Sequence, residues 1–488
     1  MKEACGVFGV FAPGRGVAQL TFDGLYALQH RGQESAGMAV SDGEAITVVK
    51  DMGLVTTVFD ERTIACLPGH IAIGHTRYST TGSSEWRNAQ PVYRSVGRVG
   101  FALGHNGNLT NTPALAELHG MLPGVVATDS DLVAELLALA HPAASADASP
   151  LDIPDPADRD GGPLGGGLLE LALRQVLPLV QGAFSFVVLD GHHLMGIRDP
   201  NGFRPLCLGR LGPTDAPEGW VLASESPALD VIGASFVREL EPGELMVIDE
   251  KGPRSEQIFP AERLETHLCI FEFVYFARPD SRLYGREIHG ARRRMGELLA
   301  EQRPVEADMV MGVPDSGVPA AEGYARASGI PYGQGLVKNR YIGRTFITPD
   351  QGARTALIRR KLNPLRDNIA GKRLVVVDDS IVRGTTTRAL VEMLRDAGAS
   401  EVHMRVSSPP FQWPCFYGID TPTREELLAA RMSREEIEEY LGTDSLEYLT
   451  LEHLVEAIDA PGAGFCNACL TGDYPAPVPV SFRQAAPA

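Results

Sequence analysis

The stretch Val375–Thr387 constrains the fold of this chain most, because a strand, a carboxylate pair and a helix start follow one another within it. Leu374–Val377 is an apolar, mostly β-branched run typical of a buried parallel strand, and Asp378 and Asp379 stand where that strand would end. The next residues are small or carry hydroxyl groups, and they lead into an amphipathic helix that Gly398 would end. A loop that enters a helix N-terminus presents backbone N–H groups, so the stretch predicts a phosphate site.

For the carboxylate pair alone, a βα turn with two capping acids is the simpler interpretation, although such a pair could also orient sugar hydroxyls or hold a hydrated Mg²⁺. The loop lacks the lysine of GxxxxGK[ST], which argues against a P-loop. The full string VVVDDSIVRGTT resembles the phosphoribosyl-pyrophosphate (PRPP) loop of type I phosphoribosyltransferases. The resemblance implies that the acids bind the ribose hydroxyls and assist a metal, and that the loop binds the 5-phosphate. The PRPP contacts implied here are Asp378, Asp379, Ser380, Arg383, Gly384, Thr385 and Thr386.

Length and composition exclude several classes of protein. A chain of 488 residues with 44% hydrophobic and 22% charged residues predicts two or more globular domains. A net charge of −18 argues against non-specific binding to nucleic acid or to an anionic membrane surface. No apolar run approaches the length of a membrane span, and the N-terminus lacks the architecture of a secretory signal, so the sequence predicts a cytoplasmic location.

The N-terminal half carries residue types suited to hydrolysis of glutamine. A cysteine nucleophile needs a base, and the α-amino group of Cys5 could serve if removal of residues 1–4 made it the first residue. Asn106 and Gly107 could form an oxyanion hole from a side-chain amide and a backbone N–H. Arg77 could bind a carboxylate and Asp129 an α-ammonium group, which together describe an amino acid with an amide side chain.

Each feature alone has a simpler explanation: an inert cysteine, a hairpin turn or a surface ion. Together, CGVFG, LQHRGQES, HTRYST, HNGNL and TDSD, in this order, resemble the class II glutamine amidotransferase domain, an N-terminal-nucleophile hydrolase. The resemblance implies that Cys5 is the nucleophile, that Asn106 and Gly107 form the oxyanion hole, and that Arg77 and Asp129 bind glutamine. It also places Arg31 and Gly32 at the rim of the same pocket.

The C-terminal half offers three further features. Cys269–Ser281 is rich in aromatic residues, typical of a core strand, although it could equally wall a dry passage. Asp308–Val313 predicts a buried strand that leads to Ser316, a candidate Mg²⁺ ligand. Val337–Leu365 is a basic stretch that includes Lys338 and Arg340, and a long loop of this kind is commonly a lid. Residues 141–167, rich in Ala, Pro, Asp and Gly, predict a solvated insertion.

Seven cysteines in a chain without a signal do not suggest a disulfide framework. Cys466 and Cys469 form a C-x-x-C pair, and Cys415 and Cys269 lie upstream. Four thiolates could bind a structural zinc ion or a [4Fe–4S] cluster, whereas the pair alone could be a redox motif or have no function.

These motifs together resemble the glutamine PRPP amidotransferase family, in its iron–sulfur branch, over nearly the whole chain. The resemblance implies an α/β (α+β) chain: an N-terminal-nucleophile hydrolase domain of four αββα layers over residues 5–250, then a type I phosphoribosyltransferase domain with a central parallel sheet over 262–475, and a tail over 476–488. The implied reaction, the first of de novo purine synthesis, converts glutamine, PRPP and water to 5-phosphoribosylamine, pyrophosphate and glutamate.

The same resemblance implies several ligands and partners. Mg²⁺ would be bound by Ser316, Asp378 and Asp379, and a [4Fe–4S] cluster by Cys269, Cys415, Cys466 and Cys469. Ammonia would pass between the two sites along an apolar path near Tyr275. Purine nucleotides would inhibit the enzyme, which would be a homo-oligomer, either a tetramer or a dimer. The alternatives are another class II glutamine amidotransferase and a PRPP-sensing regulator without catalysis.

Overall fold

The structure is a computed structural model that describes residues 5–78, 84–96, 99–122, 124, 126–141, 163–339, 360–421 and 423–479. Its N-terminal half contains two antiparallel sheets. The strands of the first, in spatial order, are Ser235–Glu239, Cys207–Leu211, Gly219–Ala223, Gly6–Phe11, Ile71–Arg77, Ser35–Ser41 and Ile46–Met52. Those of the second are Gly252–Gln257, Glu244–Asp249, Leu194–Arg198, Gly182–Leu189, Val99–Leu109 and Val92–Val96.

The two sheets stack face to face because their central strands are apolar on both sides. Alternate side chains of a strand point to opposite faces, so Val7 packs between the sheets whereas Phe8 packs against the outer helices. The helices that cover the first sheet are Val17–Ala27, Val55–Val58, Glu61–Ala65 and Pro227–Val231. The helices that cover the second sheet are Thr112–Leu118, Asp129–Ala140 and Gly167–Val176. The order of layers is therefore helix, sheet, sheet, helix, as the sequence predicts.

The C-terminal half is organised around a parallel sheet of four strands, Met309–Gly312, Arg373–Asp378, Glu401–Val406 and Ser445–Tyr448. Val375 and Val377 pack on one face and Leu374 and Val376 on the other, as expected for a strand that is buried on both sides. Helices of the first face are Ile288–Gln302, Val318–Ser328 and Leu451–Ile458. Those of the second are Thr385–Asp396, Leu428–Arg431 and Arg434–Leu441. The predicted parallel sheet is confirmed.

Short elements complete this half. Three pairs of strands are Leu268–Cys269 with Phe465–Cys466, Arg282–Leu283 with Arg286–Glu287, and Leu336–Lys338 with Leu362–Pro364. Two further helices are Arg366–Ile369 and Ala468–Thr471. No helix among the described residues is both long and apolar enough to cross a membrane.

The interpretation of Cys269–Ser281 as a core strand is wrong. Only Leu268–Cys269 pairs as a strand, and Glu272–Phe276 then forms one turn of π-helix. A short apolar run does not distinguish a buried strand from a buried helical segment, because both bury every side chain. Glu272, the first residue of this turn, is buried and pairs with Arg31 and Arg204 of the N-terminal half.

Two predicted loops fall largely on residues that the structure does not describe. Most of the solvated insertion, residues 142–162, lies outside the described ranges, and so does the basic stretch 340–359 with Arg340. The two ends of that basic stretch meet, since Leu336–Lys338 pairs antiparallel with Leu362–Pro364.

Candidate active sites

The thiol of Cys5 lies at the entry to the central strand Gly6–Phe11. Its Sγ donates to the carbonyl of Tyr78 at 3.3 Å and accepts from the Tyr78 N–H at 3.5 Å. Burial raises the pKa of Cys5. Because only the thiolate is an effective nucleophile, this thiol needs a base at the moment of attack.

Asn106 and Gly107 stand in the strand Val99–Leu109, where the sequence predicts an oxyanion hole. The side chain of Asn106 is fully buried, and among the described residues neither its Nδ2 nor its Oδ1 has a hydrogen-bond partner. Gly107 has φ of 151°, and a Cβ there would lie 2.0 Å from the carbonyl oxygen of Ala183. A buried, unsatisfied amide costs free energy, which is expected of a group that waits for a ligand.

The two charges predicted to bind glutamine approach the same thiol. Arg77 ends the strand Ile71–Arg77, and Asp129 begins the helix Asp129–Ala140. After burial and the Tyr78 bond, Arg77, which lowers the pKa of Cys5, and Asp129, which raises it, are the next largest influences on that thiol. The structure therefore places a cation and an anion near Cys5, an arrangement that suits the binding of a free amino acid.

The buried carboxylate of Asp129 accepts two backbone hydrogen bonds. Its Oδ2 accepts from the Leu109 N–H at 3.1 Å and its Oδ1 from the Ser130 N–H at 2.8 Å. Burial alone would raise the pKa of Asp129, but His105 and the two N–H groups outweigh burial, so the pKa lies below its usual value. The other charge predicted to bind glutamine, Arg77, forms an ion pair with Glu34 at 3.7 Å.

Arg31 lies next to Cys5 in a way that the sequence does not indicate. Its buried Nε donates to the Cys5 carbonyl at 3.0 Å, and its two Nη atoms pair with Glu225 and, at 2.8 Å, with Glu272. Gly32 allows this approach, since a Cβ there would lie 2.5 Å from the carbonyl carbon of Thr76. The guanidinium supports the nucleophile's backbone, and its role in binding glutamine stays a prediction.

The second site lies at the carboxyl ends of parallel strands. Asp378 ends the strand Arg373–Asp378, and its Oδ1 accepts from the Asp379 N–H at 3.0 Å. Oδ1 of Asp379 accepts from the Ser380 hydroxyl at 2.5 Å. Burial and then the charge of Asp379 raise the pKa of Asp378 well above its usual value. Two adjacent carboxylates that repel each other fit a divalent cation or the hydroxyl groups of a sugar.

The loop after the carboxylates enters a helix of twelve residues, Thr385–Asp396, through Gly384. Gly384 has φ of 73°, which glycine adopts at little cost, and a Cβ there would lie 2.6 Å from Leu428 Cδ2. Thr386 and Arg383 are exposed, and Nε of Arg383 is 2.8 Å from Glu426 Oε2. A helix N-terminus with nearby hydroxyl groups and a cation suits a phosphate.

Ser316 lies at the same edge of the sheet. Gly312 is the parallel partner of Val377, and a Cβ at Gly317 would lie 2.3 Å from the Val377 carbonyl oxygen. The turn that holds Ser316 therefore lies against the strand that ends in the acidic pair. Lys338 also reaches this turn, with Nζ 2.5 Å from Asp315 Oδ2.

The four predicted cluster cysteines lie in one region, where Cys269, Cys466 and Cys469 are buried and Cys415 is half-buried. Cys269 and Cys466 are partners in the short parallel pair of strands. Burial raises the pKa of Cys469 well above its usual value, and the charges of Cys415, Cys269 and Cys466 raise it further. Within the described residues, however, no group of three or more His, Cys, Asp or Glu side chains is close enough to hold a metal ion. Four neighbouring thiols fit a cysteine-bound cluster in donor type, and metal binding stays a prediction.

Three charged residues that the sequence analysis missed join the two halves: Arg204, Glu225 and Glu272. Each is almost completely buried, and Glu272 pairs with both Arg31 and Arg204. A lone glutamate within the aromatic run CIFEFVYF is the sequence signal that could have revealed this contact.

An N-terminal-nucleophile fold with a cysteine site, joined to a parallel sheet with a PRPP-type loop, defines a glutamine amidotransferase fused to a phosphoribosyltransferase. Two family models match the chain accordingly. One is "Glutamine amidotransferases class-II" over residues 37–208, and the other is "Phosphoribosyl transferase domain" over residues 286–408.

The chain resembles amidophosphoribosyltransferases over almost its entire length. That of Mycobacterium tuberculosis is 52% identical, with 98% of this chain and 87% of the relative covered. That of Synechococcus elongatus is 49% identical, with 99% and 93% covered. The solved glutamine PRPP amidotransferase from B. subtilis, complexed with ADP and GMP, is 42% identical with a TM-score of 0.84, with 97% of this chain and 98% of that chain covered.

The chain belongs to the amidophosphoribosyltransferase family. It is a glutamine-dependent phosphoribosyltransferase of the first step of de novo purine synthesis.

Proposed function

We propose that the two sites described above divide the reaction between them. In the N-terminal site Cys5 attacks the amide carbon of glutamine, ammonia leaves, and water hydrolyses the resulting glutamyl thioester to release glutamate. In the C-terminal site the ammonia replaces pyrophosphate on PRPP. The observation that supports this division most is the buried Asn106 amide, whose two polar atoms lack partners among the described residues. An oxyanion formed during attack by Cys5 would supply the missing acceptor.

Arg77 would bind the carboxylate of glutamine and Asp129 its α-ammonium group. Asn106 and Gly107 would stabilise the tetrahedral intermediate through a side-chain and a backbone N–H. The base would be the α-amino group of Cys5, released by removal of residues 1–4. This assignment is supported by the thiol's surroundings, because within the described part of the chain its hydrogen-bond partners are the backbone atoms of Tyr78 rather than a titratable side chain.

At the acceptor site Asp378 and Asp379 would orient the ribose hydroxyls. Residues 380–386 would bind the 5-phosphate, and Lys338 and Arg340 would contact the anionic substrate. Asp378 and Asp379, with Ser316, would hold Mg²⁺, and the bound ion would supply positive charge for the departing pyrophosphate. Two carboxylates suffice, since Mg²⁺ usually keeps several waters and takes further oxygens from phosphates.

The helical turn Glu272–Phe276 is the proposed wall of the ammonia path. Glu272 pairs with Arg31 behind the nucleophile, and the carbonyl of Phe273 accepts from Arg292 at 2.8 Å. After burial, which lowers the pKa of Arg292 to about 10, the charge of Asp379 is the largest influence on it. This one turn therefore connects the surroundings of both sites, and its aromatic side chains would exclude water.

We further propose that Cys269, Cys415, Cys466 and Cys469 bind a [4Fe–4S] cluster with a structural role, since transfer of an amide requires no electrons. The test is metal analysis with a visible absorption spectrum of protein purified anaerobically. Cys466→Ser should lose iron, while Cys66→Ser, at an exposed cysteine, should keep it. Stoichiometric zinc without iron would contradict the assignment.

The remaining assignments rest on the family. Purine nucleotides would inhibit the enzyme, as the relative complexed with ADP and GMP suggests. The sequence predictions of a homo-oligomer, a cytoplasmic location, and domains over 5–250 and 262–475 with a tail over 476–488 stay proposals.

The decisive experiment measures formation of 5-phosphoribosylamine from PRPP with glutamine and, separately, with ammonia. Wild-type protein should use both donors, and its mass should begin at Cys5. Cys5→Ala should lose glutamine use by a factor of about 10³ or more and keep ammonia use. Use of neither donor by wild-type protein would favour a PRPP-sensing regulator, and transfer to a different acceptor would favour another class II amidotransferase.

A further inference from the structure

Arg204 lies, fully buried, where the two halves of the chain meet. Its Nε and Nη2 both donate to the carbonyl oxygen of Tyr417, at 3.0 and 2.8 Å. Its Nη1 donates to Oε1 of Glu272 at 3.2 Å. One side chain of the N-terminal half thus binds two separate segments of the C-terminal half.

The segment 416–418, which Arg204 fixes, rests directly on the strand of the oxyanion hole. Nδ2 of Asn108 donates to the carbonyl of Phe416 at 2.9 Å. Gly418 has φ of 107°, and a Cβ there would lie 3.2 Å from the carbonyl carbon of Gly107 and 3.0 Å from Arg204 Nη2. The backbone of Gly107 is therefore backed by C-terminal residues.

The other partner of Arg204 leads to the nucleophile. Oε1 of Glu272 accepts from Arg31 Nη2 at 2.8 Å, and Arg31 Nε donates to the carbonyl of Cys5 at 3.0 Å. Arg204 and Arg31 therefore share one carboxylate. The oxyanion hole and the nucleophile are both connected to Arg204 through contacts that exclude water.

We propose that Arg204 is a positioning residue for glutamine hydrolysis: it seats segment 416–418 behind Gly107 and, through Glu272 and Arg31, sets the backbone of Cys5. This inference rests on the proposed roles of Cys5, Asn106 and Gly107. An oxyanion donor must lie within a few tenths of an ångström of its working position, so relaxation of this support slows the chemical step more than it weakens glutamine binding. Arg77 and Asp129, which would bind glutamine, are not part of the connection.

The test compares Arg204→Met and Arg204→Lys with Arg210→Met, at a half-buried arginine of the strand Cys207–Leu211. Arg204→Met should lower kcat with glutamine about 30–100-fold, with KM for glutamine changed less than about threefold. Ammonia-dependent synthesis should change less than about twofold. A lysine can keep a bond to Tyr417 or to Glu272 but cannot bind both as the guanidinium does. The kcat of Arg204→Lys with glutamine should therefore lie between those of Arg204→Met and wild type.

A second pair of variants tests the contact without changing a charge. Gly418→Ala inserts a methyl group between Gly107 and Arg204, whereas Gly462→Ala, at φ of 80° with no atom within 4 Å of the new methyl, carries the same kind of backbone strain alone. We expect kcat with glutamine to fall about tenfold for Gly418→Ala and less than about twofold for Gly462→Ala.

Rates should be expressed per Cys5 thiol labelled by 6-diazo-5-oxo-L-norleucine, which counts intact glutamine sites. Equal kcat per labelled site in Arg204→Met and wild type would overturn the inference, because Arg204 would then affect only folding. Equal loss with glutamine and ammonia would overturn it too. Cys5→Ala, with its rate expressed per protein chain because it has no thiol to label, separates the two ideas: if it keeps glutamine use, the proposed function itself fails.

Discussion

The two sites of this chain differ in how complete they are before a substrate arrives. In the proposed glutamine site the key atoms are buried: the Asn106 amide has no hydrogen-bond partner among the described residues, and the Cys5 carbonyl accepts from Nε of Arg31. In the proposed acceptor site a pair of carboxylates stands beside a loop in which Arg383 and Thr386 are exposed, and burial together with the charge of Asp379 raises the pKa of Asp378.

This difference indicates two ways to build a catalytic site. In the proposed glutamine site the fold bears the cost of a buried amide, which would then be ready to bind an oxyanion. In the proposed acceptor site the ligands would complete the arrangement, because a cation and a sugar would relieve the repulsion between the acids. Substitutions in the glutamine site should therefore change activity and stability independently. Substitutions in the acceptor site should reduce the use of PRPP.

The largest expected effect is that of Asn106→Ala. The rate with glutamine should fall by about 10²–10³, as for removal of other oxyanion donors. The melting temperature should not fall, because the substitution also removes two buried polar atoms without partners.

The matched control is Asn111→Ala, because the side chain of Asn111 has hydrogen-bond partners for both its polar atoms: it donates to the Leu179 carbonyl and accepts from the Gln181 N–H. It should show the reverse, with a lower melting temperature and normal activity. An Asn106→Ala protein that loses activity only because it melts early would contradict the idea of a site prepared by the fold.

Glu225→Gln tests the support of the glutamine site. Burial alone would raise the pKa of Glu225, but His30 and Arg31 outweigh burial, so the pKa lies well below its usual value. The substitution should lower the free energy of unfolding at pH 7 by about 3 kcal/mol, since it breaks a buried ion pair. Urea unfolding measures this, with the exposed Glu218→Gln as the control.

The pH dependence of that difference has a definite sign. A carboxylate with a lowered pKa in the folded state stabilises the fold above its unfolded pKa, near 4.5, and loses this contribution as the pH falls. The difference in the free energy of unfolding between wild type and Glu225→Gln should therefore decrease by about 1.4 kcal/mol for each pH unit below 4.5. A gap that stays constant down to pH 3.5 would show that Glu225 acts through packing alone.

Asp378→Asn tests the acceptor site. PRPP-dependent synthesis should fall by about 100-fold with glutamine and with ammonia alike, because the lost charge-assisted bonds serve both donors. Asp367→Asn, at an exposed aspartate of the same half, should have normal activity. Normal synthesis with ammonia in Asp378→Asn would remove this residue from the acceptor site.

The smallest expected effect is that of Arg383→Gln. This arginine is exposed and paired with Glu426, so a bond to the 5-phosphate should contribute only about 1 kcal/mol, or about fivefold in KM for PRPP. Arg388→Gln is the control, because Arg388 is also exposed and paired, with Glu392 in its own helix. Equal KM values in the two variants would exclude Arg383 from the loop's phosphate contacts.

Sequence patterns predicted the elements whose determinants are local. The strand Arg373–Asp378 and the glycine before the helix Thr385–Asp396 lie where the motif indicates. The glutamine site was also predicted, but only from the order of several motifs, since no single one is specific.

What remained unpredicted depends on partners distant in sequence. Arg31 was expected at a pocket rim, yet its guanidinium is occupied by Glu225 and Glu272, about 200 and 240 residues away. The helical turn Glu272–Phe276 was interpreted as a strand because aromatic residues are enriched in strands and a short apolar run has no periodicity that would indicate a helix. Local propensity carries no information about which arginines surround a glutamate.

The pairing of Leu268–Cys269 with Phe465–Cys466 has a consequence for the unfolded chain. It joins two points about 200 residues apart, near the beginning and the end of the C-terminal half. A bond network through both cysteines would close that loop in the unfolded state too, and chain-entropy arguments put the resulting stabilisation near 5 kcal/mol. An iron–sulfur cluster at this position would stabilise the C-terminal half against unfolding, and its loss to oxygen would release this long loop without changing any of the proposed catalytic residues.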